Sequence, residues 1–134
     1  MENAVLSRLI QKSLARNLPL NVHFDLTYRC NERCVHCYLD HEDYGEMDTS
    51  EVLRVLEELA AAGTLFLTFS GGEIFLRQDF FELLEAARRL HFDLNLKTNG
   101  LLVTDERAAR LKQLGVAKMQ IRSEERRVGK ECRL

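Results

Sequence analysis

Between residues 18 and 121, short runs of strand character alternate with amphipathic helical stretches, and this alternation constrains the fold more than any other feature. Pro19 opens PLNVHFDLT, in which Val22, Phe24 and Leu26 alternate with Asn21, His23 and Asp25, the period-two pattern of a strand. A polar loop from Tyr28 to Met47 follows. Asp48, Thr49 or Ser50 can cap a helix whose buried stripe is Val52, Leu53, Val55, Leu56 and Leu59, with Glu51 in its first turn and Gly63 as its stop. TLFLTFS (64–70) is nearly continuous in apolar residues, as expected of a strand buried on both faces. Asp79 can cap the helix DFFELLEAARRL, ending near His91. DLNLKT (93–98) is a third strand, closed by Asn99-Gly100. Thr104 can cap a third helix to Leu114, stopped by Gly115, and VAKMQI (116–121) begins a fourth strand.

Strand and helix alternating in this way imply an α/β fold with a parallel sheet, right-handed crossovers and helices outside. In parallel α/β barrels the chemistry gathers where strands end. A cysteine loop, a Gly-Gly-Glu turn and a Thr-Asn-Gly turn directly follow strands one, two and three, so the topology puts all three on one rim. Ahead of them, Leu6, Leu9, Ile10 and Leu14 recur at helical spacing, which predicts a leading helix over 3–16 within an N-terminal lead of residues 1–17.

Composition narrows the function classes. A net charge of −2 gives no general electrostatic footprint for nucleic acid or an anionic membrane. No apolar run approaches the ~18 residues of a membrane span, and the N-terminus lacks the pattern of a signal peptide. A cytoplasmic chain is expected, and there clustered thiols are more often metal ligands or redox groups than disulfides. Cys30, Cys34 and Cys37 fall within eight residues, in RCNERCVHCY, while Cys132 lies near the C-terminus. A C-x3-C-x2-C set supplies three of the four ligands that a structural zinc needs, with His36, His41 or His23 as candidate fourth, so a zinc module without catalysis is one reading. A thiolate-held iron–sulfur cluster with one open iron position is the other.

CNERCVHC, with the aromatic Tyr38 beside its last cysteine, resembles the cluster-binding loop of radical S-adenosylmethionine (radical SAM) enzymes. SGGEIFLRQDF resembles that family's glycine–glycine–glutamate motif, although Ile74 stands where many members have proline. LKTNG resembles the end of its third strand. Within the family the wording is closest to peptide- and protein-modifying maturases with a SPASM-type auxiliary-cluster domain. The resemblance implies a partial (β/α) barrel over 18–121, truncated after about four strand–helix units. It implies that Cys30, Cys34 and Cys37 hold a 4Fe-4S cluster and that SAM chelates the remaining iron. Reductive cleavage of SAM would then give a 5′-deoxyadenosyl radical that abstracts hydrogen from a peptide, protein or small-molecule substrate. A one-electron reductant such as flavodoxin or ferredoxin is implied as partner, with no nucleic acid or membrane.

The same resemblance gives the remaining residues their roles. Gly71 and Gly72 let backbone approach the methionyl part of SAM, and Glu73 offers an acceptor-only carboxylate to its cationic end; otherwise the pair is a tight turn and Glu73 a surface charge. Asn99 is placed to bond the ribose or carboxylate of SAM, and Tyr38 to stack near adenine or pack on the loop. Asn95, Lys97 and Asn99 share one face of strand three, opposite Leu94, Leu96 and Thr98, and are expected to face the lumen; His23 and Asp25 follow the same logic on strand one. The final stretch, RSEERRVGKECRL (122–134), has eight charges in thirteen residues and no apolar period. It resembles the in-frame translation of a short-read sequencing adapter and is expected to be a non-native tail, so that Cys132 is no cluster ligand.

Overall fold

The structure, a computed structural model, describes residues 2–34, 37, 42, 44–116 and 118–122. The elements run α1 (Glu2–Ala15), β1 (Asn21–Thr27), α2 (Thr49–Ala62), β2 (Phe66–Gly71), a 3-10 turn (Ile74–Leu76), α3 (Phe80–Arg89), β3 (Asp93–Thr98), α4 (Asp105–Gln113) and β4 (Lys118–Ile121). The four strands form one parallel sheet in the order β1-β2-β3-β4. This is the α/β architecture that the alternation requires. Among the described residues, no helix is long and apolar enough to cross a membrane. The tail from residue 123 onward lies outside the described residues.

One face of the sheet carries the core. Leu67 and Phe69 of β2 and Leu94 and Leu96 of β3 are buried against Val52 and Leu56 of α2 and Phe80, Leu83 and Leu84 of α3. Phe69 meets Phe24 at 6.4 Å and Phe80 edge-on at 6.4 Å between ring centroids, so aromatic contacts tie β1, β2 and α3 together. β2 does not have two buried faces, as its apolar run predicts: Phe66 and Thr68 stay half-exposed while their neighbours Leu67 and Phe69 are buried. The other face is polar, with His23 level with Thr68 and Asn95, and Asp25 level with Ser70.

Several boundaries differ from the sequence expectation for local reasons. Of the three candidates, Asp48 caps α2, in a reciprocal capping box: its carboxylate accepts from the Glu51 amide at 2.8 Å, and Glu51 accepts from the Asp48 amide at 2.9 Å. β2 starts two residues later than expected: the Thr64 amide is taken by the Leu59 carbonyl at the end of α2, at 3.0 Å, and the Leu65 and Phe66 amides share the Leu20 carbonyl before the regular ladder begins. The leading helix forms, but Leu6, Leu9, Ile10 and Leu14 are exposed and contribute nothing to the core.

Asp79 stands at the start of α3 yet makes no side-chain cap bond. Its carboxylate is engaged elsewhere: Arg77 Nε and Nη2 donate to its two oxygens at 2.8 and 2.7 Å, and the Thr49 hydroxyl donates at 2.7 Å. This fork-to-fork pair joins the start of α2 to the start of α3. Hydrogen bonding from Arg77 holds the Asp79 carboxyl below its ordinary value of 3.8, against the opposing effect of burial. A carboxylate depressed in the folded state contributes stability above its ordinary value and loses it as pH falls through the folded one. Wild-type protein should therefore lose stability to urea below about pH 4, and Asp79→Asn should lose less over the same interval; equal pH dependence in the two proteins would contradict the coupling.

Candidate active site at the strand ends

The site is built from the point where β1 hands over to the cysteine loop. A register irregularity between Asp25 and Thr27 brings Leu26 and Thr27 both into buried positions at the end of β1. The chain then crosses directly over the Gly71-Gly72 turn. Gly72 donates its amide to the Thr27 carbonyl at 2.7 Å, and Glu73 donates to the Arg29 carbonyl at 2.8 Å. A Cβ at Gly71 would stand 2.1 Å from the Thr27 oxygen, and one at Gly72 would stand 2.1 Å from the Arg29 oxygen. Gly71 also adopts φ +128°, which side-chain-bearing residues rarely do. The close approach that these glycines permit is thus to the root of the cysteine loop itself, one residue before Cys30.

Glu73 is turned inward. The motif resemblance presents its carboxylate to a cationic ligand, whereas in the structure Glu73 is 0% exposed. Its Oε1 accepts from the Phe75 amide at 3.2 Å and its Oε2 from the Asn99 amide at 2.9 Å, while the Thr98 hydroxyl reaches both oxygens at 2.7 and 2.9 Å. Among the described residues, no lysine or arginine lies within ion-pair distance of it. A carboxylate removed from water needs such donors. Here they come from the 3-10 turn and the end of β3, so Glu73 fastens β2 to β3 at the rim.

Asn99 extends the fastening to the cysteine loop. Its side-chain amide donates to Asn31 Oδ1 at 2.7 Å, and its own Oδ1 accepts from the Leu101 amide at 3.0 Å. As expected, Asn95 and Lys97 lie on the face opposite the buried Leu94, Leu96 and Thr98. His23 is exposed and Asp25 half-buried on the same polar face.

Of the three clustered cysteines, Cys30 and Cys37 are half-buried free thiols. Cys34 lies between them on the same loop. The Cys37 amide bonds the Cys34 carbonyl at 3.2 Å, which closes a turn between them. Burial pushes the Cys30 thiol up; the backbone of Glu32 acts against this, and the charges of Glu73, Cys37 and Glu32 add to it. Among the described residues, no three His, Cys, Asp or Glu side chains are already gathered as a metal site. The fit to an iron–sulfur cluster therefore lies in donor type and placement: three cysteines on one loop whose root is pinned to the rim. His36, Tyr38 and His41 lie outside the described residues.

Sequence reasoning missed Thr98 and Asn31. Thr98 had a visible signal, as a hydroxyl on the leucine face of β3 that must find a partner once buried. Thr98→Val keeps the shape and removes a donor from a fully buried carboxylate, which should cost about 1–3 kcal/mol. Thr98→Ser should recover most of that loss. Urea denaturation of the two variants checks it, and equal stability would show that the hydroxyl does not hold Glu73.

With this geometry in place, comparison with known proteins identifies the architecture. The profile of the Radical SAM superfamily matches residues 24–124. The PqqA peptide cyclase of Rhodopseudomonas palustris is 42% identical over 107 residues, covering 78% of this chain and 28% of the relative. The Fe-coproporphyrin III synthase of Methanosarcina barkeri is 37% identical over 99 residues, covering 72% of this chain and 25% of the relative. The chain therefore spans about a quarter of the length of these curated relatives. In fold it is similar to Streptococcus suis SuiB, solved bound to precursor peptide SuiA, with a TM-score of 0.70 and 22% identity over 86% of this chain and 27% of that one. The matched segment runs through the cysteine loop, the glycine turn and the end of β3, and the chain belongs to the radical SAM superfamily.

Proposed function

We propose that this chain carries the cofactor-binding part of an enzyme that cleaves SAM reductively and uses the resulting radical to modify a peptide. The observation that supports this best is the bond from the Glu73 amide to the Arg29 carbonyl, which fixes the cysteine loop, one residue before Cys30, onto the Gly-Gly-Glu turn. Cys30, Cys34 and Cys37 would hold a 4Fe-4S cluster, which supplies the electron for the cleavage when bound. Each of the three thiols must lose its proton to ligate.

The chain's own residues provide the frame. Gly71 and Gly72 seat the root of the cysteine loop at the rim, and Asn99 holds a carboxamide beside Asn31; together they would border the space next to the thiols where SAM would lie. Glu73 serves this space from behind, by holding the end of β3 against the turn. From the motif resemblance alone, Tyr38 is a candidate to stack near the adenine of SAM. The polar face carrying His23, Asp25, Asn95 and Lys97 would line the substrate side.

A peptide substrate is favoured by the relatives' names, a peptide cyclase and a protein bound to a precursor peptide, while the coproporphyrin synthase names a different substrate class. A flavodoxin or ferredoxin would donate the electron, in a cytoplasmic setting that keeps the loop thiols reduced.

Anaerobic reconstitution with iron, sulfide and a thiol reductant tests the reading. The protein should take up about four irons per chain, and SAM should perturb the spectrum of the reduced cluster. Alanine at Cys30, Cys34 or Cys37 should abolish stable uptake, whereas Cys132→Ala should leave iron content unchanged. One tightly held zinc with no iron uptake would replace this reading with the zinc module.

A further inference from the structure

The cysteine loop leaves the fold after β1 and returns just before α2, and one buried side chain touches both of its ends. Arg77 follows the 3-10 turn and is 6% exposed. Its Nη1 donates to the carbonyl of Leu26, the penultimate residue of β1, at 3.0 Å, and to the Met47 carbonyl, immediately before the cap of α2, at 3.0 Å. Its Nε and Nη2 are held by Asp79, which Thr49 holds in turn. The planar guanidinium can make all four bonds at once because its donors point outward from one rigid fork. A lysine ammonium, a single nitrogen on a flexible stem, has no such reach.

This arrangement differs in kind from an ordinary structural ion pair. The Asp79 side of the fork joins α2 to α3, whereas the Nη1 side spends both hydrogens on the two ends of the segment that bears the cysteines. The Arg29–Glu46 pair at 3.1 Å and the edge-on Tyr28–Tyr44 contact at 6.2 Å between centroids close the same loop further out, but on exposed side chains. Arg77 is the buried staple. It also lies four residues after Glu73, so a single short turn fixes the loop root through the Glu73 amide and the loop mouth through Arg77.

We propose that Arg77 is a positioning residue for the cysteine loop, setting the separation of its two ends so that its thiols are presented together at the rim. The proposal rests on the reading of that loop as the cluster-holding element. Thr49 provides the control, since its hydroxyl touches Asp79 but neither end of the loop.

The experiment compares Arg77→Lys and Thr49→Val with wild type in the full chain. Three readouts are taken: urea stability, alkylation of the loop thiols in the metal-free reduced protein, and iron loss to a chelator after anaerobic reconstitution. Arg77→Lys should alkylate faster at Cys30 and Cys37 and should lose iron roughly tenfold to a hundredfold faster, the range seen when groups that orient ligands are removed. Thr49→Val should be destabilised yet keep wild-type alkylation and iron loss. A folded Arg77→Lys protein with wild-type values in both loop readouts would overturn the proposal. So would a Thr49→Val protein that reproduces the losses of Arg77→Lys, since both effects would then follow stability alone. If Arg77→Lys does not fold, Asp79→Asn, which releases one side of the fork, should accelerate both processes, and no acceleration overturns it. Failure of wild type itself to bind iron would instead count against the cluster reading, with the alkylation comparison still deciding the role of Arg77.

Discussion

The backbone crossing of Thr27–Arg29 over Gly71–Glu73 is the contact on which the rim depends. Two amide-to-carbonyl bonds, at 2.7 and 2.8 Å, join the end of β1 to the turn after β2, and they form only because neither glycine has a side chain to stand between the strands. A methyl group at either glycine would sit 2.1 Å from a carbonyl oxygen, deep inside van der Waals contact. Local chain flexibility is therefore not the main reason for the glycine pair. It is the room for a second strand of backbone, and what that backbone carries next is Cys30.

The buried Glu73 carboxylate completes the rim from the other side. Removing an ionised carboxylate from water costs several kcal/mol in effective terms, and here hydrogen-bond donors offset that cost: a hydroxyl and an amide from the end of β3, and an amide from the 3-10 turn. The partners are all neutral, so the group is oriented by hydrogen bonds and leaves the local field negative beside the thiols; this is one reason the Cys30 thiol is pushed up. The apolar face of the sheet and the helices on it act as a rigid backing. The opposite face is polar, and a charged hub at Arg77 and Asp79 joins the backing to the mouth of the loop.

Much of this was legible in the sequence, for physical reasons that can be named. Hydrophobic period and stop residues located the four strands and the four α-helices, though not the 3-10 turn at Ile74–Leu76, since burial of one face selects those periods. The leucine face of β3 and the polar face of Asn95 and Lys97 followed from alternation alone. Other features depended on contacts that no local pattern encodes. Asp79 looked like a helix cap because caps favour that residue type, yet an arginine two positions earlier outcompetes the helix amides for its oxygens. The spacing of Leu6, Leu9, Ile10 and Leu14 announced α1 as a helix, but not that its apolar stripe stays exposed. Glu73 was visible as a site residue, and its inward direction was not, because its partners Thr98 and Asn99 lie 25 and 26 positions away.

Amide hydrogen exchange at Gly72 and Glu73 tests the backbone crossing most directly. If those amides are held by the Thr27 and Arg29 carbonyls as the structure has them, they should exchange only with global unfolding, at the rate of the core amides of β2 and β3. The amide of Asn99, held by the Glu73 carboxylate, should share that protection. Exchange of Gly72 and Glu73 at the fast rates of an open loop, while β2 and β3 remain protected, would contradict the crossing and with it the placement of the cysteine loop on this rim.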